Sequence, residues 1–407
     1  MSGAFAGLRS VAAQVAAEGT DPDQLAAIVA FSAQPRSHPD ALRRRDRDGD
    51  RTGPIAARVA ALAGPPTATT SPVAARLLGA WRGDAVRVAL IGDPAYPRCL
   101  AEGWPELDPP VWLAWRGQAP GHDPGVAIVG ARRATSYGSG IAAWLAEAVT
   151  DAGVRVVSGG ATGIDAAAHG ATVGRPGGTT VVLGCGHRVD YPRSHARAGG
   201  LFDQLLEDGG TLVSEALPHQ PPRAHQIRSR NRIVAGLAAA VVVVEGGERS
   251  GSLLTAGAAA ERGRAVLAVP GDVRAPGSAA PHRLLAEGAG PCCSPAQLLE
   301  SLGASPSRTQ PSGDATAVAD GQARPGAAAP ADGAAGGGAT GVTTLPPTVH
   351  AALVRAWPRP VRLEDLASTA QVPVGGLLAA LTRATVNGEI AEAADGIRLR
   401  RAPPDVG

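Results

Sequence analysis

Two segments rich in glycine and hydroxyl side chains have the composition of anion sites. The first, Ser158-Gly-Gly-Ala-Thr-Gly-Ile-Asp165, joins a short β-branched run to a segment of helical length. The second, Gly246-Gly-Glu-Arg-Ser-Gly-Ser-Leu-Leu-Thr255, repeats this arrangement further along the chain. Small residues let backbone N–H groups approach an anion at the positive end of a helix, and hydroxyls add donors. The spacing is not that of a dinucleotide loop, so each segment is either an anion site or a tight turn, and in the second case Asp165 caps the helix after the first segment.

Arginines add positive charge close to the second segment. No acid occurs in residues 216–244, and a local charge of +4 arises there in a chain of net charge +2. Arginine is unfavourable at the start of a helix unless an anion compensates it. Together with Arg132 and Arg133 further upstream, these residues predict an arginine track suited to a nucleic-acid backbone. The four arginines of the run are Arg223, Arg228, Arg230 and Arg232.

The sequence lacks the residues that several kinds of catalysis and ligand binding require. All 38 basic residues are arginine, which excludes a P-loop lysine and a Schiff-base lysine. There is no nucleophile-elbow spacing and no H-E-x-x-H motif, so we predict no catalysis, no cofactor and no metal site. His169 lies four residues after Asp165, on the same helical face, and is either a phosphate contact or a core histidine.

Six short β-branched runs alternate with segments of helical length between residues 126 and 300. Runs that are apolar on both faces and separated by helices predict a parallel sheet covered on both sides. We therefore expect an α/β fold, a doubly wound, Rossmann-like parallel sheet, with ligands bound beyond the carboxyl ends of its strands. The runs are Val126–Val129, Val154–Val157, Thr179–Leu183, Thr211–Val213, Ala240–Val244 and Arg264–Val269.

Composition divides the chain into four parts. Residues 1–85 form a helical N-terminal region, in which the charged run of residues 43–48 is expected to be a solvated loop. Residues 86–300 form the Rossmann-like domain, and residues 301–344 are a linker too poor in apolar residues to fold. Residues 345–402 form a small winged-helix-like domain, with a third helix at Val374–Val386. No apolar run approaches 18 residues and the N-terminus lacks a secretory pattern, so a cytoplasmic protein is expected.

Five ordered motifs resemble the DNA-processing protein A (DprA/Smf) family over roughly residues 90–290. Three of them begin in a predicted strand and continue into the loop or helix that follows, and two lie at the start of a segment of helical length. The motifs are Val126-Ala-Ile-Val-Gly-Ala-Arg-Arg-Ala-Thr-Ser-Tyr-Gly138, Val156-Val-Ser-Gly-Gly-Ala-Thr-Gly-Ile-Asp-Ala-Ala-Ala-His169, Arg230-Asn-Arg-Ile-Val-Ala-Gly236, Ser250-Gly-Ser-Leu-Leu-Thr-Ala256 and Arg264-Ala-Val-Leu-Ala-Val-Pro-Gly271.

The resemblance implies a non-catalytic, homodimeric protein with an extended Rossmann fold. It would bind single-stranded DNA, with no membrane association, and help load the RecA recombinase in DNA processing, recombination or natural transformation. One departure is Ile227-Arg228, where the family has Phe-Pro, so a base-stacking contact is missing. The DNA-binding residues predicted from the motifs and the resemblance are Gly130, Arg132, Arg133, Ser158, Gly159, Gly163, Ile164, Asp165, His169, Arg230, Asn231, Arg232, Ser250, Gly251, Ser252 and Thr255.

Two other functions compete with this interpretation. One is a nucleotide-processing Rossmann hydrolase resembling the lysine-decarboxylase-like phosphoribohydrolases. Those enzymes need a glutamate on the first turn of a helix, where this chain has Ser250-Gly-Ser-Leu-Leu-Thr255. The other is a structural partner protein whose strand-end loops bind nothing. For the C-terminal domain, protein contact or weak DNA binding is favoured over sequence-specific reading.

Overall fold

A computed structural model describes residues 3–34, 39–49, 51–302, 347–356, 361, 363–370, 381, 390–393 and 396–399. The chain divides into two compact units, Met1–Ser312 and Gly313–Gly407. Among the described residues, no helix is both long and apolar enough to span a membrane. The predicted linker lies outside the described residues, apart from residues 301 and 302.

Helices form the N-terminal region, as predicted, including the charged run that was expected to be a solvated loop. That prediction is wrong because Asp46 is buried, with 1% of its surface exposed. Its carboxylate accepts hydrogen bonds from Arg58 Nε at 2.9 Å and from Trp104 Nε1 at 2.7 Å, which fixes the run as a helix. The helices are α1 (Gly3–Val15), α2 (Pro22–Ser32), α3 (Pro39–Arg47), α4 (Ile55–Ala63) and α5 (Ser71–Gly83).

The described strands of the first unit form one mixed sheet with the order β1-β2-β6-β5-β4-β3-β7-β8-β9. All six predicted runs are strands (β3 to β8), and they pair in parallel, which confirms the doubly wound fold. The antiparallel strands β1 and β2 were missed, because residues 86–120 look like proline-rich turns. The bounds are β1 (Arg87–Leu90), β2 (Trp112–Gly117), β3 (Gly125–Val129), β4 (Val156–Gly159), β5 (Thr179–Val182), β6 (Thr211–Ser214), β7 (Ala238–Val243), β8 (Ala265–Ala268) and β9 (Gly290–Pro291).

Helices cover both faces of the sheet. Ala127 and Val129 of β3 face the core shared with the N-terminal helices, whereas Val126 and Ile128 face a second core. Alternate residues of one strand are thus buried on opposite faces, as in covered parallel sheets. The helices are α6 (Arg98–Ala101), α7 (Ser136–Asp151), α8 (Ile164–Gly170), α9 (Arg193–Ala196), α10 (Leu201–Glu207), α11 (Ala224–Ser229), α12 (Asn231–Gly236), α13 (Ser252–Glu261), α14 (Ala279–Ala286) and α15 (Pro295–Ser301), with a 3₁₀ turn at Pro276–Ser278.

The strand order reverses between β3 and β7. From β3 the chain proceeds through β4 and β5 to β6 on one side, and from β7 through β8 to β9 on the other. The connections that leave the carboxyl ends of β3 and β7 therefore diverge and open a crevice, the position at which doubly wound sheets bind their ligands.

The second unit contains α16 (Pro347–Ala356), α17 (Leu363–Ala370) and an antiparallel pair of strands, β10 (Ile390–Ala393) and β11 (Gly396–Leu399). The two helices and the hairpin match three of the four elements predicted for a winged helix. The predicted third helix, at 374–386, lies outside the described residues except for Leu381. The winged helix therefore remains a prediction.

Candidate functional site

A cleft of about 480 Å³ lies at the point where the strand order reverses. The end of β3 forms one wall and the first turn of α13, which follows β7, forms the opposite wall. Nine of the sixteen predicted site residues line it. They are Gly130, Arg132, Asp165, Arg230, Asn231, Ser250, Gly251, Ser252 and Thr255, and they are joined by Val129, Ala131, Ala224, Ile227 and Arg228.

Two arginines supply positive charge that is available to a ligand. Arg132 and Arg228 line the cleft and are exposed. Neither side chain forms an ion pair or hydrogen bond with another residue in the part of the chain that the structure describes. Arg133 is equally exposed but lies outside the lining of the cleft. Phosphate oxygens would find unengaged guanidinium groups on Arg132 and Arg228.

The first turn of α13 presents hydroxyls to the same space. Ser250 Oγ lies 2.8 Å from Ser252 Oγ, and the Thr255 side chain lies one turn further along the helix. The Asn231 amide donates to the Gly251 carbonyl at 3.0 Å and thereby ties α12 to this loop. Helix α13 has ten residues, so its N-terminus adds a positive partial charge beside the hydroxyls. This wall of the cleft suits an anion.

A carboxylate of the protein itself, that of Glu245, occupies the N-terminus of α7. Glu245 follows β7 and is buried, and its carboxylate accepts hydrogen bonds from the backbone N–H of Thr135, at 2.9 Å, and from the Thr135 hydroxyl. A Cβ at Gly138 would overlap that carboxylate, so the close approach requires glycine. A ligand anion therefore has no place at α7. Sequence reasoning missed Glu245, whose signal was an acid directly after a buried strand.

The loop after β4 is turned inward. Ser158 is buried and its hydroxyl donates to the Ile128 carbonyl at 2.6 Å. The Ile164 N–H donates to the Ala131 carbonyl at 3.1 Å, and Gly163 has φ +80°, where a Cβ would meet that carbonyl. Ser158, Gly163 and Ile164 thus hold the strand ends together. Direct contact of these three residues with DNA stays a prediction.

Arg230 lies beneath the cleft. Its side chain donates to the Val182 carbonyl at 3.0 Å and lies 3.6 Å from the Asp165 carboxylate, and both residues are buried. Burial raises the pKa of Asp165 to about 6, although the Arg230 charge opposes that rise. A Cβ at Gly159 would collide with the guanidinium, so this glycine provides the passage for Arg230. The pair carries no net charge and stabilises the floor of the cleft.

His169 belongs to the core. Nδ1 lies 2.8 Å from Thr179 Oγ1 and Nε2 lies 3.1 Å from the Gly159 carbonyl, and 1% of the residue surface is exposed. Burial lowers the pKa of His169 to about 3, so the ring is neutral at physiological pH. Of the two interpretations of this residue, the geometry favours the core histidine.

Arg232 is held by acids far from it in sequence. Its guanidinium donates to both Glu215 oxygens, at 2.8 and 2.6 Å, and Nε lies 3.1 Å from Asp108. Arg232 does not line the cleft. The two acids occupy the guanidinium, so the predicted phosphate contact of Arg232, which stays a prediction, would have to compete with them. Within the described residues, no group of three or more histidines, cysteines or acids could hold a metal ion.

The known proteins to which this sequence is similar are named Smf or DprA. Protein Smf of Escherichia coli (strain K12) is 44% identical over 177 residues, which are 44% of this chain and 46% of that protein. DNA processing protein DprA of Bacillus subtilis (strain 168) is 35% identical over 229 residues, or 56% of this chain and 75% of that protein. The match thus spans less than half the length of the E. coli relative.

The fold matches a solved structure. The X-ray structure of DNA processing protein A from Streptococcus pneumoniae aligns with a TM-score of 0.53 and 28% identity, covering 68% of this chain and 95% of that one. The model of the family described as DNA recombination-mediator protein A matches residues 87–303, which contain the whole sheet and the cleft. The chain belongs to this family.

Proposed function

We propose that this chain binds single-stranded DNA in the cleft and acts in DNA processing without catalysing a reaction. The phosphates would lie between Arg132 and Arg228 on one side and the first turn of α13 on the other. As a homodimer, the protein would help load the RecA recombinase onto the bound strand.

The charge of the cleft is the observation that carries the proposal. Three arginines and one acid line it, and the acid, Asp165, is already paired with Arg230. Arg132 and Arg228 therefore remain as a positive charge that nothing in the described lining offsets. Such charge at a ligand-binding crevice suits a chain of phosphates.

The shape of the strand-end surface supports a single strand over a duplex. Sequence reading in the major groove, about 12 Å wide, requires a projecting helix or ribbon. The cleft is instead concave, and the helix beside it, α11, has only six residues. The extended backbone of a single strand can follow such a groove with charge contacts and few stacking contacts.

The recombination role rests on the relatives. The family is described as a recombination mediator, and the B. subtilis and S. pneumoniae proteins are named for DNA processing. A protein that holds a strand by its phosphates leaves base edges available for pairing, which suits transfer to a recombinase.

The competing function, nucleotide hydrolysis, would require a carboxylate that meets the substrate. Asp165 is the acid of the cleft lining, and its pKa of about 6 suits proton transfer. Its carboxylate is nevertheless buried against Arg230, and the first turn of α13 carries hydroxyls where the hydrolase would have glutamate.

An electrophoretic shift with an oligo-dT, beside an assay for nucleoside-monophosphate cleavage, separates these functions. We expect a shift and no cleavage. Arg132→Ala should weaken the shift for every sequence without lowering the melting temperature, because phosphate contacts position a strand but do not specify it. Arg283→Ala is the matched control, since Arg283 is exposed and pairs with Glu287, the residue that follows the end of its helix. Cleavage without a shift would support the hydrolase, and neither activity would leave only a structural role.

A further inference from the structure

Glu245 is a buried acid that the proposed function does not use. It follows β7 at the point where the strand order reverses, and 6% of its surface is exposed. The cleft beside it suits phosphates, although the Glu245 side chain is not part of the cleft lining. A negative charge near an anion-binding cleft lowers the affinity for anions, so its presence calls for a compensating role.

The Glu245 carboxylate joins β7 to the loop after β3. The two strands pair in parallel, and the Val244 N–H donates to the Val129 carbonyl at 3.1 Å, which brings the strand ends together. The carboxylate of Glu245 accepts hydrogen bonds from the backbone N–H of Thr135, at 2.9 Å, and from the Thr135 hydroxyl. The same hydroxyl accepts a hydrogen bond from the Gly138 N–H at 3.0 Å. Thr135 is therefore held both by the residue after β7 and by the first turn of α7.

The loop after β4 holds the other end of the loop after β3. The Ile164 N–H donates to the Ala131 carbonyl, and the Thr162 hydroxyl donates to the Arg132 carbonyl, each at 3.1 Å. The loop after β3 is thus fixed at both ends. Arg132 contributes a backbone carbonyl to these contacts, whereas its exposed side chain forms no ion pair or hydrogen bond with another described residue.

A fixed backbone matters for an arginine that binds phosphate. The guanidinium reaches the strand on a side chain with several rotatable bonds, and freedom of the loop beneath it would be lost as well on binding. Holding the loop in advance reduces that loss. A carboxylate suits this task because it offers two acceptors to the two donors of Thr135. It also lies at the N-terminus of a helix of 16 residues, which stabilises a negative charge.

We propose that Glu245 is a positioning residue for strand binding, which fixes the loop after β3 so that Arg132 projects toward the phosphates. The inference rests on the proposed function and deepens it, because it gives a role to an acid outside the cleft lining. It also predicts the sign of an effect. Removal of a negative charge near phosphates ordinarily raises the affinity for DNA, whereas removal of a positioning carboxylate lowers it.

The first test measures the affinity for a fluorescent oligo-dT after Glu245→Gln. One oxygen of glutamine still accepts from Thr135, but its amide group faces the second donor, so the loop is held less firmly. We expect an affinity about fivefold lower and a salt slope flatter by up to about 0.7, the share of one phosphate contact. Glu300→Gln, at an exposed position of α15, is the matched control for one lost negative charge and should not lower the affinity. An affinity equal to or above that of the wild-type protein after Glu245→Gln would overturn the proposal.

The second test changes Thr135, the partner of the carboxylate. Thr135→Val keeps the shape of the side chain but removes the hydroxyl, and it should lower the affinity by a similar factor. Thr135→Ser brings the hydroxyl back and should restore the affinity. This pair keeps the proposal testable if Glu245→Gln fails to fold. The titrations are made below the melting temperature of the least stable variant, because loss of a helix cap also lowers stability.

A double variant separates positioning from a general structural role. In the Arg132→Ala background, Thr135→Val should cause no further loss of affinity, because the side chain that the loop positions is absent. Losses that multiply would mean that Thr135 affects strand binding independently of Arg132, and they would overturn the proposal.

Failure of the inference differs from failure of the proposed function. If Arg132→Ala weakens the binding of oligo-dT but the Glu245 and Thr135 variants bind as the wild-type protein does, the positioning role is wrong and strand binding stands. If the wild-type protein does not bind oligo-dT, or if Arg132→Ala leaves binding unchanged, the proposed phosphate contact is wrong and the positioning role falls with it.

Discussion

The loops after β4 and β7 look alike in sequence but differ in the structure. Both join a buried strand to a helix through glycines and hydroxyl side chains. After β4, the Ser158 hydroxyl donates to a neighbouring strand and Asp165 is paired with Arg230. After β7, the hydroxyls of Ser250 and Ser252 contact each other at the edge of the open cleft. The hydroxyl of the first loop therefore bonds to a neighbouring strand, whereas those of the second loop line the cleft.

The arginines show the same division. Arg230 and Arg232 lie two positions apart, and acids hold both of them, whereas Arg132 and Arg228 are exposed at the cleft. Composition counts all four as positive charge. Only the three-dimensional arrangement shows which charges the protein has already neutralised, because Asp108 and Glu215 approach Arg232 from other parts of the chain.

The largest expected effect concerns Arg230, the partner of Asp165 after β4. Arg230→Ala should lower the free energy of unfolding by about 3–5 kcal/mol, because it leaves the Asp165 carboxylate buried without its partner. Urea denaturation at pH 7 measures this loss. Adding Asp165→Asn should restore part of the stability, and the single variant should lose less at pH 5, where Asp165 takes up a proton. A stable Arg230→Ala variant with weakened DNA binding would instead make Arg230 a ligand contact.

The next effect distinguishes available arginines from paired ones. Each phosphate neutralised contributes about −0.7 to the slope of log K against log salt for a single strand. The Arg132→Ala/Arg228→Ala variant should therefore flatten the slope by about 1.4 units. Arg232→Gln should leave the slope unchanged, as should the surface control Arg283→Ala. Titration of a fluorescent oligonucleotide at several salt concentrations gives the slopes, and a flatter slope for Arg232→Gln would restore Arg232 to the DNA-binding residues.

The pH dependence of the free energy of unfolding tests the burial of His169 and Asp165, which act in opposite directions. Burial lowers the pKa of His169 to about 3, so its contribution to stability is lost as the pH falls from about 6.5 toward 3. Burial raises the pKa of Asp165 to about 6, so its contribution is lost as the pH rises from about 4 through 6. Each group changes the slope of stability with pH by at most about 1.4 kcal/mol per unit.

The two contributions oppose each other between pH 4 and 6 in the wild-type protein. His169→Gln should therefore make stability fall more steeply as the pH rises through this range, and Asp165→Asn should make it rise more steeply. Urea denaturation at intervals of pH measures both slopes. Equal slopes in both variants would mean that neither group is held in its buried state.

The covered parallel sheet was predictable because both faces of its strands are buried, which leaves continuous β-branched runs. Strands β1 and β2 were not predictable in the same way. The tryptophans of Trp112–Gly117 are set among prolines and glycines, and pairing with β6 is a contact between distant segments. The buried state of Asp46 is equally non-local, because Trp104 and Arg58 create it.

The position of the cleft was predictable, but the contacts of each residue in and around it were not. Several of the strand-end glycines and arginines chosen from the sequence line the same cleft, since parallel strands bring their carboxyl ends to one edge. The Ser158 hydroxyl bonds to the carbonyl of a neighbouring strand, whereas the Ser250 hydroxyl bonds to Ser252 beside the cleft. Which group lies opposite each hydroxyl is information that the sequence does not contain. Arg228 belonged to the predicted arginine run, yet it was left out of the predicted site because the family motif begins at Arg230.

The smallest expected effect concerns stacking in the cleft. Ile227 lines the cleft and, with Tyr191, a small adjoining cavity, at a position where the family has phenylalanine. Ile227→Phe should add a base contact worth at most ~1–3 kcal/mol and leave the salt slope unchanged, because stacking releases no counterions. Ile227→Leu is the matched control, since leucine has a similar volume but no aromatic face. The same salt titration measures both variants. A gain shared by Phe and Leu would indicate better packing of α11, and a changed slope would show that the substitution had moved Arg228, the neighbouring residue whose charge the cleft depends on.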